Sequence, residues 1–428
     1  MDPRSPRPAL RGAALLTLLA SPLAFGAPAA RADEALPSPL SLAEVLAAVR
    51  RQSPEAAERR ASAEAAALRP RAEGLPDDPM VMLEWWQQPI NFQAVPLMVT
   101  ARQKLPFART LRLRRQVAEQ DGRAVRDEAD EALRRVEADA KRAYFDRLLA
   151  ERSLEVLARV RAIAAELVDV TSAVYGAGKA QQSDLWKAQS ELLVIDNDRA
   201  DLERAADEAG ARLNALLDRS VASPLPPLAT PAALVALPPE PDLVQRALAQ
   251  RPEVRRARDR LAAAEARLAL AGREALPEVS VWASYMVMFG GVDTFTAGVS
   301  SSLPVFAARR RGALRDAGAA EVGAARYALA AISRETELAV HTALSQLETA
   351  ARHVHLHAEK LVPLADLALA STRVAYRAGR VDFLAVLDSA RMVRDHHQSH
   401  LKFLVEYRRK LADLEQLAGD LDDTGARP

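Results

Sequence analysis

The chain repeats itself at a spacing of about 200 residues, and that repeat limits its fold more than any other feature. Gln52-Ser53-Pro54-Glu55 returns as Gln250-Arg251-Pro252-Glu253. Leu105-Pro106-Phe107, followed by an arginine-rich run, returns as Leu303-Pro304-Val305-Phe306, followed by Arg309-Arg310-Arg311. Tyr175-Gly176-Ala177-Gly178-Lys179 returns as Tyr376-Arg377-Ala378-Gly379-Arg380. The offsets are 198, 198 and 201, so order and spacing survive almost without insertion. Solenoid repeats have periods of roughly 20–50 residues. This unit is a whole supersecondary block used twice.

Within each copy the pattern is mostly helical. Ala108 to about Ala173 contains no proline and one glycine, Gly122, and Leu133, Val136, Ala140, Tyr144 and Leu148 recur at helical spacing. Such a helix is roughly 100 Å long at ~1.5 Å per residue. The second copy has an equivalent run from Ala307 to about Ala375, in which Pro363 predicts a kink or a break. Ser183–Leu217 and Phe383–Leu417 are expected as return helices. Gly178 and Gly379 can take positive φ, which a tight reversal between antiparallel helices requires. Helices this long need a coiled-coil or helical-barrel setting.

Each copy also carries one strand pair before its long helix. Val279, Val281, Ala283, Tyr285, Val287 and Phe289 alternate with Ser280, Trp282, Ser284 and Met286, and Gly290-Gly291 makes a turn. The return strand puts Phe295, Ala297 and Val299 on one side and Thr294, Thr296 and Ser300 on the other. Alternation over about ten residues marks a transmembrane β-strand. The first copy is noisier: Met80–Trp86, with Trp85 and Trp86 as interfacial aromatics, then Pro89, then Val95–Val99. Four strands cannot close a barrel, and open edges are not tolerated in lipid. If these strands cross a membrane, several protomers must share one barrel, and three chains supply twelve strands.

The ends and the charge narrow the setting. Arg4, Arg7 and Arg11, the apolar run Ala13–Phe25 and Ala30-Arg31-Ala32 form a secretory signal, expected over 1–32. Without it the net charge is −2, which argues against nucleic-acid binding. There is no cysteine, so disulfides, thiolate metal sites and a lipidated N-terminal cysteine are excluded. The expected organisation is signal 1–32, first repeat 33–222, Pro-rich linker 223–241, second repeat 242–421 and a polar tail 422–428.

This layout resembles the TolC-like outer-membrane efflux factors over about Ser41–Leu421. The resemblance rests on the duplication, the Leu-Pro before each long helix, and the Tyr-x-x-Gly-Lys/Arg turns. It implies a mainly α fold with a small β part. Long helical hairpins would form a periplasmic α-barrel, and four strands per protomer would join a twelve-stranded transmembrane β-barrel in a homotrimer. It also implies outer-membrane lipid contact in a Gram-negative cell, a periplasmic adaptor of the membrane fusion protein type, and an inner-membrane transporter of the RND type. No cofactor is implied. The cargo would be small molecules or metal ions, with a periplasmic scaffold or a protein-secretion conduit as other readings. Tyr175, Gly178, Lys179, Tyr376, Gly379 and Arg380 fall at the family's periplasmic tips, where the adaptor docks. Asp184 matches a carboxylate that latches the first tip to the second, and Tyr376 matches its tyrosine partner. The family's arginine partner falls at Val381. Asp388 matches one of two entrance aspartates, the other falling at Ala385. Asp184 and Asp388 read equally as ordinary acidic residues in first helical turns, where the helix dipole favours them.

All seven histidines lie in the second copy. His353 and His357 are four apart on the long helix, and His396 and His400 are four apart on the return helix. An i, i+4 pair can chelate a divalent metal, as in a heavy-metal exporter, and an antiparallel hairpin puts both pairs at similar height. Solvent-exposed helix positions are the alternative reading. Enzyme motifs are missing: Gly176-Ala177-Gly178-Lys179 lacks phosphate-loop spacing, and there is no G-x-S-x-G and no H-E-x-x-H.

Overall fold

Each of the three repeated motifs marks an element boundary. The computed structural model describes residues 36–85, 96–178, 181–230, 234–273, 276–288, 291–303, 305–419 and 421. The expected signal segment, Trp86, Pro89, Lys179, Phe289, Gly290, Pro304 and the tail beyond Leu421 lie outside the described residues. The first motif splits two short helices. Helix α1 (Leu42–Gln52) ends before Ser53, and α2 (Pro54–Glu73) starts on the proline. Helix α5 (Glu240–Gln250) ends before Arg251, and α6 (Pro252–Ala271) starts on Pro252. Proline disfavours helix in the residue before it but fits the first helical position, where an N–H has no partner anyway. The second motif ends strand β2 (Pro96–Leu105) and opens α3 (Ala108–Gly176). In the second copy, β4 (Thr294–Ser301) precedes α7 (Ala307–Leu356).

The long helix of the first copy runs unbroken for 69 residues. Its counterpart does not. After α7 comes a π turn, His357–Leu361, and α8 (Val362–Arg377) restarts with Pro363 in its first turn. Pro363 cannot donate to the carbonyl four residues back, and the wider turn absorbs the missing bond. The return helices are α4 (Gln182–Leu216) and α9 (Phe383–Ala418).

The two strand pairs join into one antiparallel sheet in the order β1-β2-β3-β4, with β1 Met80–Trp85 and β3 Val279–Met288. Strands β2 and β3 pair along their whole length, from Pro96↔Met288 to Leu105↔Val279. The register aligns apolar residues in rows on one face: Leu83, Val99, Tyr285 and Phe295 form one row, and Val81, Ala101, Ala283 and Ala297 the next. This face is bare, with Leu83 70% and Phe295 67% exposed. The opposite face carries the polar residues, interspersed with Met82, Met98, Trp282 and Met286, and the Thr100 and Ser284 hydroxyls meet across it at 2.7 Å. Water would leave such an apolar face unstable, whereas hydrocarbon matches it. No described helix is long and apolar enough to cross a membrane.

Two equivalent cores fasten the short helices to the hairpins. In the first copy Leu40, Val45 and Val49 pack on Val136, Ala140, Tyr144 and Leu213. In the second, Leu243 and Ala247 pack on Val340, Leu344, Leu347, Tyr407 and Leu411. The described parts of the Pro-rich segment between the copies are strapped down. Tyr144 donates its hydroxyl to the Leu40 and Ala229 carbonyls at 3.0 and 2.6 Å. Burial pushes its phenol up to about 12. In the second copy the Val235 N–H donates to the Tyr407 hydroxyl at 2.9 Å. Ion pairs tie the layers together, among them Arg255–Asp127 at 2.9 Å, Arg256–Glu131 at 2.8 Å and Arg142–Asp413 at 2.7 Å.

Candidate functional site

The two hairpin tips are built by the third repeated motif. Gly178 has φ 72° and Gly379 φ 68°, the left-handed conformation that ends a helix without a Cβ clash. The Gly178 N–H donates to the Tyr175 carbonyl at 2.8 Å, and the Gly379 N–H donates to the Tyr376 carbonyl at 2.9 Å. In the second tip the Arg380 N–H also reaches the Ala375 carbonyl at 2.9 Å, completing a Schellman cap. The Asp382 carboxylate then caps α9 by accepting from the Ala385 N–H at 3.1 Å. Open space surrounds both glycines, so only backbone strain opposes a side chain there. Gly379→Ala is expected to cost about 1–2 kcal/mol of local stability. Faster amide exchange in Tyr376–Phe383, with unchanged exchange in α3, is the result that checks it.

The tips lie side by side within one protomer. Leu167 of α3, Ala188 of α4, Ala365 and Leu369 of α8, and Phe383, Val386 and Leu387 of α9 form one apolar cluster, with Tyr376 packed against it. Two carboxylates clamp the hairpins around this cluster. Glu166 of α3 takes Arg373 and Arg377 of α8, the second at 2.7 Å. Glu191 of α4 accepts from Arg391 Nε at 3.1 Å and lies 3.4 Å from Arg394 Nη1, both on α9. Glu191 is only 7% exposed. Sequence reasoning missed both clamps. A glutamate on one hairpin and arginines about 200 residues away leave no local signal.

The expected latch and gate residues stand apart from these clamps. Asp184 sits in the first turn of α4, where its carboxylate lies 3.6 Å from Lys187 Nζ. Neither a hydrogen bond nor an ion pair joins it to Tyr376 among the described residues. Asp388 is 72% exposed on α9, with Arg391 3.9 Å away. Arg380 is exposed and beside Val381.

The hairpin does bring the histidine pairs together. His353 stacks on Phe403, with ring centroids 4.7 Å apart, and His357 lies 5.0 Å from the same ring and 5.8 Å from His396. His357 is 9% exposed, and its Nδ1 and that of His400 are buried without a hydrogen-bond partner. So His357 is a packed residue, not a solvent-exposed one. Around the group, His397 faces Asp366 at 3.0 Å and His355 faces Glu359 at 3.2 Å. Among the described residues no three His, Cys, Asp or Glu side chains are arranged to hold a metal ion.

Burial, then His396 and His353, holds His357 below the usual histidine range, against a hydrogen bond that its ring donates to the His396 backbone carbonyl. Burial, then His357 and His397, does the same to His400. Folding therefore favours the neutral rings. Their contribution is full above the unfolded value near 6.5 and is lost as pH falls through the lower folded values. Acidification from pH 7.5 to pH 5 is expected to speed amide exchange around the π turn, and His357→Gln is expected to blunt that response (the pH values chosen as about one unit or more either side of 6.5).

Comparison with known proteins places this architecture. Residues 243–420 match the family model of outer membrane efflux proteins. The fold is similar to a membrane protein from Pseudomonas aeruginosa, with TM-score 0.77 at 19% identity over 92% of this chain and 99% of that one. It is similar to the MtrE outer membrane channel of Neisseria gonorrhoeae, with TM-score 0.75 at 20% identity over 88% of each chain. It is also similar to CusC, whose structures report transmembrane channel formation, with TM-score 0.77 at 16% identity over 88% of this chain and 92% of that one. No curated protein matches the sequence. The relatives are channels, not enzymes. Residues 243–420 thus match the family of outer membrane efflux proteins, and the described residues share the fold of solved outer-membrane channels.

Proposed function

We propose that three copies of this chain form the outer-membrane conduit of a tripartite export system, carrying small molecules or metal ions. The observation that carries this reading is the four-stranded sheet, with a bare apolar face and two unpaired edges, β1 and β4. Edges cannot stay open in hydrocarbon, and the smallest membrane barrels have about eight strands. Three sheets joined edge to edge close twelve strands, and three pairs of hairpins then close a tunnel below them. Export begins with the signal at 1–32. The chain carries no energy-coupling motif, so an inner-membrane transporter, of RND type, drives transport through a periplasmic adaptor. Exposed Tyr175, the turns at Gly178, Gly379 and Arg380, and Lys179 of the first motif supply the adaptor's docking surface. Asp184 and Tyr376 meet across neighbouring hairpins of the trimer.

Membrane fractionation tests the assembly. An outer-membrane pellet containing heat-modifiable trimers supports it, and a soluble periplasmic monomer overturns it. Asp388 projects into the closed entrance in this reading, where a ring of three carboxylates favours cations. Asp388→Ala in reconstituted trimers is expected to raise conductance or to weaken block by multivalent cations. No change in either quantity removes Asp388 from the gate.

A further inference from the structure

The junction between sheet and hairpins is the most one-sidedly charged part of the chain. Residues 101–118 hold six basic side chains and no acidic one, and residues 302–315 hold four and none. The whole chain carries a net charge of only +1. Neither α3 nor α7 has an acidic residue in its first turn. Arginine there opposes the helix dipole, which favours anions at a helix start. Elsewhere arginines mostly meet carboxylates, as Arg142, Arg161 and Arg256 do. Arg109, Arg112, Arg114, Arg273 and Arg309–Arg311 have no ion pair among the described residues. The excess cations are therefore not used in holding this protomer together.

Four of the basic side chains converge. Lys104, Arg114, Arg273 and Arg310 line one cavity of about 300 Å³ where β2, α3, α6 and α7 meet. Asp77 and Glu278 also line it, and Glu278 lies 3.9 Å from Lys104 Nζ, so four cations face two carboxylates and the lining keeps a net charge of +2. The other wall is apolar, made by Leu105, Phe107, Leu276 and Val279. Leu105 and Val279 are partners in the register and form the last row of the bare apolar face. Leu105 and Phe107 are themselves exposed. The cavity thus opens where hydrocarbon contact ends and charge begins. That juxtaposition fits an amphipathic anion, with its charge on the arginines and its first methylenes on Leu105 and Phe107. A free phosphate would use only half of it.

We propose that this cavity seats the phosphate of an anionic phospholipid from the periplasmic leaflet of the outer membrane. The proposal rests on the sheet being a membrane barrel. Arginines in a collar at each protomer then fix the height of the barrel in the bilayer, a task that a lipidated cysteine cannot perform in a chain without cysteine.

Native mass spectrometry of the full-length oligomer, released from mixed micelles of phosphatidylglycerol and phosphatidylcholine, tests this. The wild type is expected to retain phosphatidylglycerol over phosphatidylcholine by more than about tenfold, since each basic side chain near an anionic headgroup contributes substantially. The triple variant Arg114→Gln, Arg273→Gln, Arg310→Gln is expected to lose that preference, and the three corresponding lysine substitutions are expected to keep most of it. Equal retention of the two lipids by the wild type overturns the proposal without any variant. So does full retention by the glutamine variant. Preferential retention of lipid A from a mixture with phosphatidylglycerol assigns the charge to the opposite leaflet and also overturns it. A chain that never forms membrane oligomers fails the fractionation test instead, and then the barrel reading falls with it.

Discussion

Leu83→Arg is expected to abolish assembly into the outer membrane. Leu83 lies on the sheet's apolar face, beside Val99 and away from the hairpin end of the sheet, and is 70% exposed in the protomer. In a barrel that exposure is to lipid. An arginine on the lipid face costs roughly 2–4 kcal/mol near the midplane. In the proposed trimer one barrel carries it three times, so the total is comparable with the whole stability of an ordinary domain, about 5–15 kcal/mol. Thr296→Arg is the matched control. Thr296 pairs with Ser284 on the polar face, where a charge meets water. The readout is the fraction of protein recovered as heat-modifiable oligomer in outer-membrane pellets. Equal recovery of both variants contradicts the assignment of the faces.

The second large effect is expected at the clamp between the hairpins. Glu191→Ala leaves Arg391 and Arg394 without the carboxylate that joins α4 to α9. Removing one partner of a buried ion pair costs about 3–5 kcal/mol. Arg391 is half-exposed and keeps some hydration, which puts the expected loss at the lower end, about 3 kcal/mol. In the proposed trimer that loss would free the second hairpin to move away from the first. Higher single-channel conductance and faster amide exchange in Phe383–Arg394 are the expected results. Glu166→Gln weakens the companion clamp to Arg373 and Arg377, which is more exposed, and its effect is expected to be smaller. Wild-type conductance in the Glu191 variant would show that these contacts stabilise the protomer without controlling the entrance.

The distinction between the two copies sharpens where motion is expected. Helix α3 is continuous, whereas its counterpart is interrupted by the π turn at His357–Leu361. The interruption lies among the histidines and about 20 residues from the tip at Gly379. The second hairpin thus carries a ready bending point, a buried histidine whose neutral form is favoured, and the arginine ends of both clamps.

The sequence by itself determined every element that depends on neighbours in the chain. Proline after Gln52 and Gln250 divides the short helices because proline supplies no N–H and restricts the residue before it. Glycine at 178 and 379 ends the long helices because only a residue without Cβ turns left-handed cheaply. Alternation in Val279–Met288 gives the strand and its two faces because successive side chains point to opposite sides. Long-range pairings carry no such local period, and only the tertiary structure decided them. It joined two strand pairs into one sheet through β2 and β3. It bound the Pro-rich segment to Tyr144 and Tyr407, and placed Glu166 and Glu191 against arginines of the other hairpin. It set His357 beside His396, yet with no metal-holding group of three among the described residues. The contacts that close a hairpin or seat a headgroup are made by side chains roughly 200 residues apart, and their chemistry is fixed only when packing brings them within a few ångströms.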